Sequence, residues 1–262
     1  MKDKIVVTDN MARFVAGVEA LINKPERLDR MGLIYGKWGL GKTTTMQWYY
    51  TNNPSFYRRS MAAWTRSPNM MLEDLLRAYR VEARGRFKSD IRELIRVAKR
   101  HRLPLFIDEA DRVVRKSILI ETIRDIHDLT RIPIILIGQE HIVNLLQRRD
   151  LGQVFSRITE VVEFEELNIT DIQNISRELC DLECSSKVAA YIHTVTIGDF
   201  RLLNAFLTRA ENLCAFNKTS EITLSIAKAA SSAMPHIDDL NKGIQNEEDF
   251  DSGGSQAVQA AG

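Results

Sequence analysis

The chain has 262 residues, 44% of them hydrophobic and 27% charged, with a formal net charge of +1, which suits one large globular domain or a domain with a lid. No run of about eighteen apolar residues occurs, which excludes a membrane-spanning helix. The opening residues, soon interrupted by Asp9 and Asn10, are too short for a signal peptide, and Cys180, Cys184 and Cys214 read as buried helix-core hydrophobes in a reducing cytoplasm.

In chain order, Thr8 to Asn23 reads as a helix with Phe14, Val15, Val18, Leu21 and Ile22 on one side. Met31 to Tyr35 is a short apolar run, as a buried strand should be. It ends on Gly36-Lys-Trp-Gly-Leu-Gly-Lys-Thr43, a complete G-x-x-x-x-G-K-[ST] P-loop. Gly36, Gly39 and Gly41 let the backbone aim successive N–H groups at phosphate oxygens. Lys37, Trp38, Leu40 and Thr44 complete the expected nucleotide contacts. Lys42 is placed for the β- and γ-phosphates and the Thr43 hydroxyl for a Mg²⁺ ion. Lys42 to Tyr50 has helical composition, so the helix N-terminus can face the phosphates.

Ser60 to Trp64 then reads as a strand, Thr65 to Asn69 as a turn and Met70 to Tyr79 as a helix. Glu82 to Lys88 reads as a basic loop, and Asp90 to Arg102 as an amphipathic helix with Ile91, Leu94, Ile95 and Ala98 inward. Leu103 to Ile107 is the next strand, closed by Asp108-Glu109. Ser117 to Thr130 is a helix, Pro133 to Ile137 a strand ending at Gly138-Gln139, and Glu160 to Phe164 a fifth strand. Strands alternating with helices predict an α/β fold, a parallel sheet with helices on both faces. After Leu167 the strands stop. Thr170 to Leu182, Ser186 to Val195, Phe200 to Asn217 and Glu221 to Ser232 read as four helices, with Thr170 (paired with Gln173) and Ser220 as N-caps. The expected organisation is a nucleotide-binding α/β domain over 1–167, a helical lid over 168–236 and an acidic, disordered tail over 237–262.

The charge is unevenly spread. From His236 onward the tail carries net −5, whereas Ser55 to Arg102 holds thirteen Lys/Arg against five Asp/Glu. Arginine matches phosphate bidentately, so the basic segment is a candidate nucleic-acid surface. Hydrolysis of a bound triphosphate needs a carboxylate for Mg²⁺ and a group to orient the attacking water; Asp108 suits the first role and Glu109 the second. Gln139 follows a strand where a polar side chain reaches the γ-phosphate or the water. Arg157, just before the last strand, is placed to serve a neighbouring subunit's γ-phosphate, with Arg148 and Arg149 as competitors for that role. Arg201, in Gly198-Asp-Phe-Arg201, opens a lid helix and can fold back onto the nucleotide. Asp108-Glu-Ala-Asp111 also spells the DEAD-box helicase motif, but the other helicase motifs are not seen.

This ordered set resembles an AAA+ ATPase (an ASCE P-loop αβα core with a small C-terminal helical lid) of the initiator type. In those terms the P-loop, Asp108-Glu109, Gln139, Arg157 and Arg201 look like Walker A, Walker B, sensor 1, arginine finger and sensor 2. The strings Met31-Gly-Leu-Ile-Tyr-Gly36, Phe106-Ile-Asp-Glu-Ala-Asp-Arg112, Ile135-Leu-Ile-Gly-Gln139 and Arg149-Asp150 with Phe155-Ser-Arg157 narrow the resemblance to transposition ATPases, the family of the phage Mu B protein and TnsC. The resemblance implies ATP and Mg²⁺ as cofactors, head-to-tail self-assembly on double-stranded DNA, target-site selection, recruitment of a DDE transposase, and a cytoplasmic location in a bacterial or phage-infected cell. It also implies two DNA-tracking loops, which by position fall on Arg66-Ser67 and on Arg84, Arg86 and Lys88. Only about 30 residues precede the P-loop, fewer than the helix-turn-helix appendage of Mu B-like proteins, so DNA contact is expected from the core itself. Two alternatives stand beside this reading: another AAA+ switch, such as a helicase loader or an ExeA-like ATPase acting on a protein partner, and a P-loop small-molecule kinase.

Overall fold

The structure, a computed structural model, describes residues 2, 4–232 and 234; the expected acidic tail lies outside the described residues. In chain order the elements are α1 (Asp9–Asn23), β1 (Met31–Tyr35), α2 (Lys42–Asn52), β2 (Phe56–Arg59), α3 (Pro68–Ala78), α4 (Phe87–His101), β3 (Leu105–Asp108), α5 (Asp111–Val114), α6 (Ser117–Thr130), β4 (Ile134–Ile137), α7 (Ile142–Leu146), α8 (Gly152–Phe155), β5 (Ile158–Glu163), α9 (Ile169–Cys180), α10 (Ser186–Thr196), α11 (Phe200–Phe216) and α12 (Leu224–Ser232).

The five strands pair in parallel in the order β2-β3-β4-β1-β5. The central runs are apolar on both faces because both faces are covered. Met31 and Leu33, Leu105 and Ile107, Ile134 and Leu136 pack into one core with α3, α4 and α6. The alternate residues Ile34, Phe106, Ile135 and Ile137 pack into a second core with Phe14 and Val18 of α1 and Met46 and Tyr49 of α2. The period-2 alternation of a strand is thus what divides the layers. Beyond β5 the helices α9–α12 enclose a core of their own, centred on Ile175, Ile192, Leu203, Phe206 and Ala227. Lys2 and Val6 meet that unit: the Lys2 N–H donates to the Leu179 carbonyl at 2.6 Å and Val6 packs on its core.

Several local expectations are corrected. The second strand is Phe56–Arg59, not Ser60 to Trp64, where a 3₁₀ turn over Ala62–Thr65 stands instead. As an edge strand, β2 is half-buried, and its arginines are held by partners: Arg58 Nε donates to the Asp74 carbonyl at 2.6 Å. Trp64 is buried through the turn, its Nε1–H donating to Asp74 at 2.7 Å. Lys88 lies in the first turn of α4 rather than in the preceding loop. The first C-terminal helix begins at Asn168, which forms a capping box with Asp171, leaving Thr170 inside the helix. Ser220 caps nothing: Glu221 bridges to Glu183, and Thr223 accepts from the Ile226 N–H where α12 begins. The three cysteines are buried and free as expected, but Cys184 sits between α9 and α10 rather than on a helix.

Candidate nucleotide site

Parallel strands all present their carboxyl ends to one edge, and in open α/β sheets that edge binds ligands. Here the P-loop leaves β1, Asp108-Glu109 ends β3, Gly138-Gln139 follows β4, and Arg59-Ser60 ends β2. A cavity of about 460 Å³ at this edge is lined by Trp38 to Thr44, Asp108, Glu109, Asp111, Gln139, Arg201 and Asn204. It therefore brings together the P-loop, both expected carboxylates, Gln139 and Arg201. Gly36 and Lys37 line the adjoining cleft, where Lys37 pairs with Glu166 at 2.9 Å.

The P-loop curls around its own lysine: Lys42 Nζ donates to the carbonyls of Gly36 and Lys37, each at 2.6 Å. Burial lowers the Lys42 pKa, while Asp111, Asp108 and Glu109 oppose that shift. The Thr43 hydroxyl donates to Asp108 Oδ2 at 2.9 Å, and the Glu109 N–H donates to Asp108 Oδ1 at 2.9 Å. Burial raises the Asp108 pKa against those two hydrogen bonds. A hydroxyl and a carboxylate this close, beside a helix N-terminus, are the hard oxygen donors that Mg²⁺ takes alongside phosphate. The residues present thus fit a magnesium–nucleotide complex. Thr43 and Asp108 would hold the ion, and the loop amides with Lys42 would hold the phosphates. The bound ion would supply charge neutralisation at the γ-phosphate.

Glu109 stands in the left-handed region at φ 55°, uncommon outside glycine. In that conformation its carboxylate pairs with Arg59 Nη2 at 3.1 Å, and its carbonyl accepts from the Ser60 hydroxyl. Asp111, three residues beyond Asp108 at the start of α5, accepts the Gln139 N–H on both oxygens at 3.1 and 3.2 Å and pairs with His141 at 3.1 Å. Burial raises its pKa against those contacts. Neither Arg59 nor Asp111 is singled out by sequence reasoning. Asp111 was visible in the Asp108-to-Asp111 string, whereas nothing short of the true β2 register could have placed Arg59.

The lid helix α11 is seated directly on the P-loop. Asp199 caps α11 by accepting from the Leu202 N–H at 2.9 Å, and the Phe200 N–H donates to the Gly39 carbonyl at 3.0 Å. Gly39, at φ 77°, leaves no room for a side chain: a Cβ there would lie 1.7 Å from an Asp199 carboxylate oxygen. Arg201 follows in the first turn of α11, and Asn204 lies one turn further, its Oδ1 buried without a hydrogen-bond partner among the described residues.

Other expected site residues lie elsewhere. Arg157 precedes β5, at the amino edge of the sheet, beside Met31 rather than Gly36. It pairs with Asp128 at 3.1 Å, and Arg148 pairs with Asp150 at 2.9 Å; the Arg149 side chain lies outside the described residues. Arg66, Arg84, Arg86 and Lys88 are exposed and Ser67 is partly so. Arg66-Ser67 precedes α3 and the Arg84–Lys88 segment follows it, so the two stretches flank a helix about 16 Å long. The Arg84–Arg86 turn is built rather than loose. Buried Asp90 accepts the N–H of Arg84 at 2.9 Å and of Arg86 at 3.0 Å, and between them Gly85 takes φ 74°.

Sheet order, carboxyl-edge cavity and trailing helices define an AAA+ fold, an α/β core with a C-terminal helical unit. Residues 26–146 match the family model described as AAA domain. No curated protein matches the chain. Among solved structures it is similar to the ORC2 protein of Aeropyrum pernix in its ADPNP–ADP complexes (TM-score 0.66, 14% identity, 89% of this chain and 70% of that one). It is also similar to the Aeropyrum pernix ORC1 protein in complex with DNA (0.56, 16%, 87% and 65%), and to the Thermotoga maritima RuvB Holliday junction branch migration motor (0.54, 19%, 87% and 69%). No helix among the described residues is long and apolar enough to cross a membrane.

Proposed function

We propose that the chain is an ATPase that hydrolyses ATP to ADP and phosphate and couples this to assembly on duplex DNA. The reading is carried by the cavity in which Lys42, the Thr43–Asp108 pair, Glu109, Gln139 and Arg201 converge. Lys42 and Gln139 contact the γ-phosphate, Glu109 orients the attacking water, and Thr43 with Asp108 holds Mg²⁺. Arg201 couples the lid (168–236) to the phosphates held by the body (1–167). Arg157 of one copy completes the site of the next, which requires a head-to-tail, heterologous interface. Arg66, Ser67, Arg84, Arg86 and Lys88 grip the DNA backbone without reading sequence. Likeness to the Aeropyrum pernix ORC1 protein in complex with DNA supports this partner. The transposition-ATPase strings support the finer role, ATP-dependent target selection with recruitment of a DDE transposase in a bacterial or phage-infected cytoplasm.

ATP turnover by the full chain with and without duplex DNA tests the reading. Lys42→Ala and Glu109→Gln should abolish turnover, and Arg84→Glu with Arg86→Glu should abolish only its stimulation by DNA. Stimulation that survives the charge reversal would leave a protein-directed AAA+ switch, the second reading, in its place. Monomers at saturating ATP and DNA in negative-stain images would sink the assembly model.

A further inference from the structure

Asp29, His127 and Asp128 place their ligand atoms within 4.8 Å of one another, a grouping that could suit a metal ion. Each group already has a different task. His127 is fully buried, and its Nε2 accepts the Arg30 N–H at 3.1 Å, so the proton sits on Nδ1, which faces Asp128 Oδ1 at 3.2 Å. Asp29 accepts from Arg131 at 3.0 Å. Asp128 accepts from Arg157 on both oxygens, Nε at 3.3 Å and Nη2 at 3.1 Å. The positive charge a cation would bring is already present as two guanidiniums.

We propose that Asp128, itself oriented by His127, is the positioning residue for Arg157, fixing the guanidinium so that its free edge meets the nucleotide of a neighbouring copy. This rests on the reading of Arg157 as acting between subunits. A guanidinium is a rigid planar fork with five N–H donors. Asp128 occupies the Nε–Nη2 edge, and Ser156 Oγ takes one Nη1 hydrogen at 3.1 Å. One hydrogen on each terminal nitrogen has no partner among the described residues. The clamp stands on rigid parts. Asp128 and His127 belong to α6, and the Arg30 backbone that fixes His127 leads straight into β1. The Arg30 guanidinium is tied down as well, donating to the carbonyls of Leu21, Ile22 and Arg131. Burial disfavours charge on Asp128, but hydrogen bonds from Arg157 and His127 outweigh it and leave its pKa lowered. Burial also lowers the His127 pKa, so the ring is a neutral donor.

Asp128→Asn, which keeps shape and removes charge, tests this in the full chain with ATP and duplex DNA. The expected result is a kcat lower by about tenfold to a hundredfold with an unchanged KM for ATP, the size of effect a mispositioned reacting group has. Asp128→Asn with Arg157→Ala should be no slower than Arg157→Ala alone. Mixing Asp128→Asn chains with Lys42→Ala chains should restore turnover, because the latter donate a correctly held arginine to intact sites; a merely structural defect would not be rescued. Should Asp128→Asn melt below the assay temperature, Asp128→Glu replaces it, with the same expected loss in kcat. Wild-type turnover by Arg157→Ala would overturn the trans reading itself. Loss with Arg157→Ala but wild-type or faster turnover with the Asp128 variant, or no rescue on mixing, would overturn the positioning role alone.

Discussion

Asp90→Ala is the substitution that best separates a built DNA clamp from a row of surface arginines. Asp90 is 2% exposed, and its two oxygens hold the Arg84 and Arg86 amides at 2.9 and 3.0 Å. A hydrogen bond to a charged acceptor contributes about 1.5–3 kcal/mol. Arg84 and Arg86 are exposed, so water recovers much of that, and the stability loss should sit near the low end, about 1.5–2 kcal/mol in total. The effect on DNA comes through order. Fixing one residue's backbone costs about 1–2 kcal/mol, so re-ordering Arg84, Gly85 and Arg86 on binding would cost about 3–6 kcal/mol if all order were lost. Loss of about 1.4 kcal/mol of that order gives about a tenfold rise in Kd, and complete loss a rise of at least about a hundredfold. Fluorescence anisotropy on a duplex across a salt series reads both quantities. Asp90→Ala should weaken binding while keeping the salt slope, because the same cations still meet the same phosphates. Arg84→Ala should instead reduce the slope by about 0.9. Wild-type affinity for Asp90→Ala would refute the clamp, and a slope reduced as in Arg84→Ala would refute the reasoning from order.

Arg59→Ala frees Glu109 from an exposed ion pair worth about 0.5–1 kcal/mol; DNA-independent ATP turnover should therefore rise about two- to fivefold, and a rate that stays level or falls would show that the pair restrains nothing. Gly39→Ala drives a Cβ into Asp199 at a left-handed position, so nucleotide binding by fluorescence titration should weaken sharply, and Asp199→Ala should restore part of it. Burial raises the Asp108 pKa, so the folded chain keeps that proton to higher pH than the unfolded chain, and stability falls as pH rises through that window. Asp108→Asn should accordingly raise the melting temperature near neutral pH, with a gain that shrinks as pH falls towards the ordinary carboxylate range, while magnesium-dependent turnover is lost; a pH-independent gain would point to packing instead.

The parts of the fold legible in the sequence are those where local chemistry and global position agree. β1, β3 and β4 are continuous apolar runs because both faces are buried, and the P-loop and Asp108-Glu109 follow them directly. β2 escapes the sequence pattern because an edge strand needs only half its surface covered. Phe56-Tyr-Arg-Arg59 looks polar until Arg58 and Arg59 find Asp74 and Glu109, partners sixteen and fifty residues away. The apolar Ala62 to Trp64 stretch looked like the better strand, yet Trp64 is buried by a turn and a single bond to Asp74. At the site, sequence spacing exposed the residues that line the cavity and concealed those that hold them. Asp111 grips the Gln139 backbone, Asp199 abuts Gly39, and Asp90 shapes the arginine turn. Each is a common surface residue type whose meaning depends on a tertiary contact.

If Arg157 serves a nucleotide at all, the sheet requires that nucleotide to sit on another copy. The cavity lies at the carboxyl edge and Arg157 at the amino edge, with the length of β1 between them. Five residues of strand span about 16 Å, longer than an arginine side chain, so within one chain Arg157 cannot meet phosphates that Lys42 would hold. Either Arg157 is a structural partner of Asp128, or it serves a second molecule whose carboxyl edge lies against this amino edge. Pairing opposite edges is heterologous by construction, because the surface offered differs from the surface accepted, and such contacts propagate until a ring closes or a helix grows. The basic turns around α3 would then repeat once per subunit along the assembly, which converts a weak, non-specific phosphate contact into a multivalent one. In that arrangement nucleotide state, read at the Gly39–Asp199 seam and at Arg157, sets how many basic turns face the DNA together.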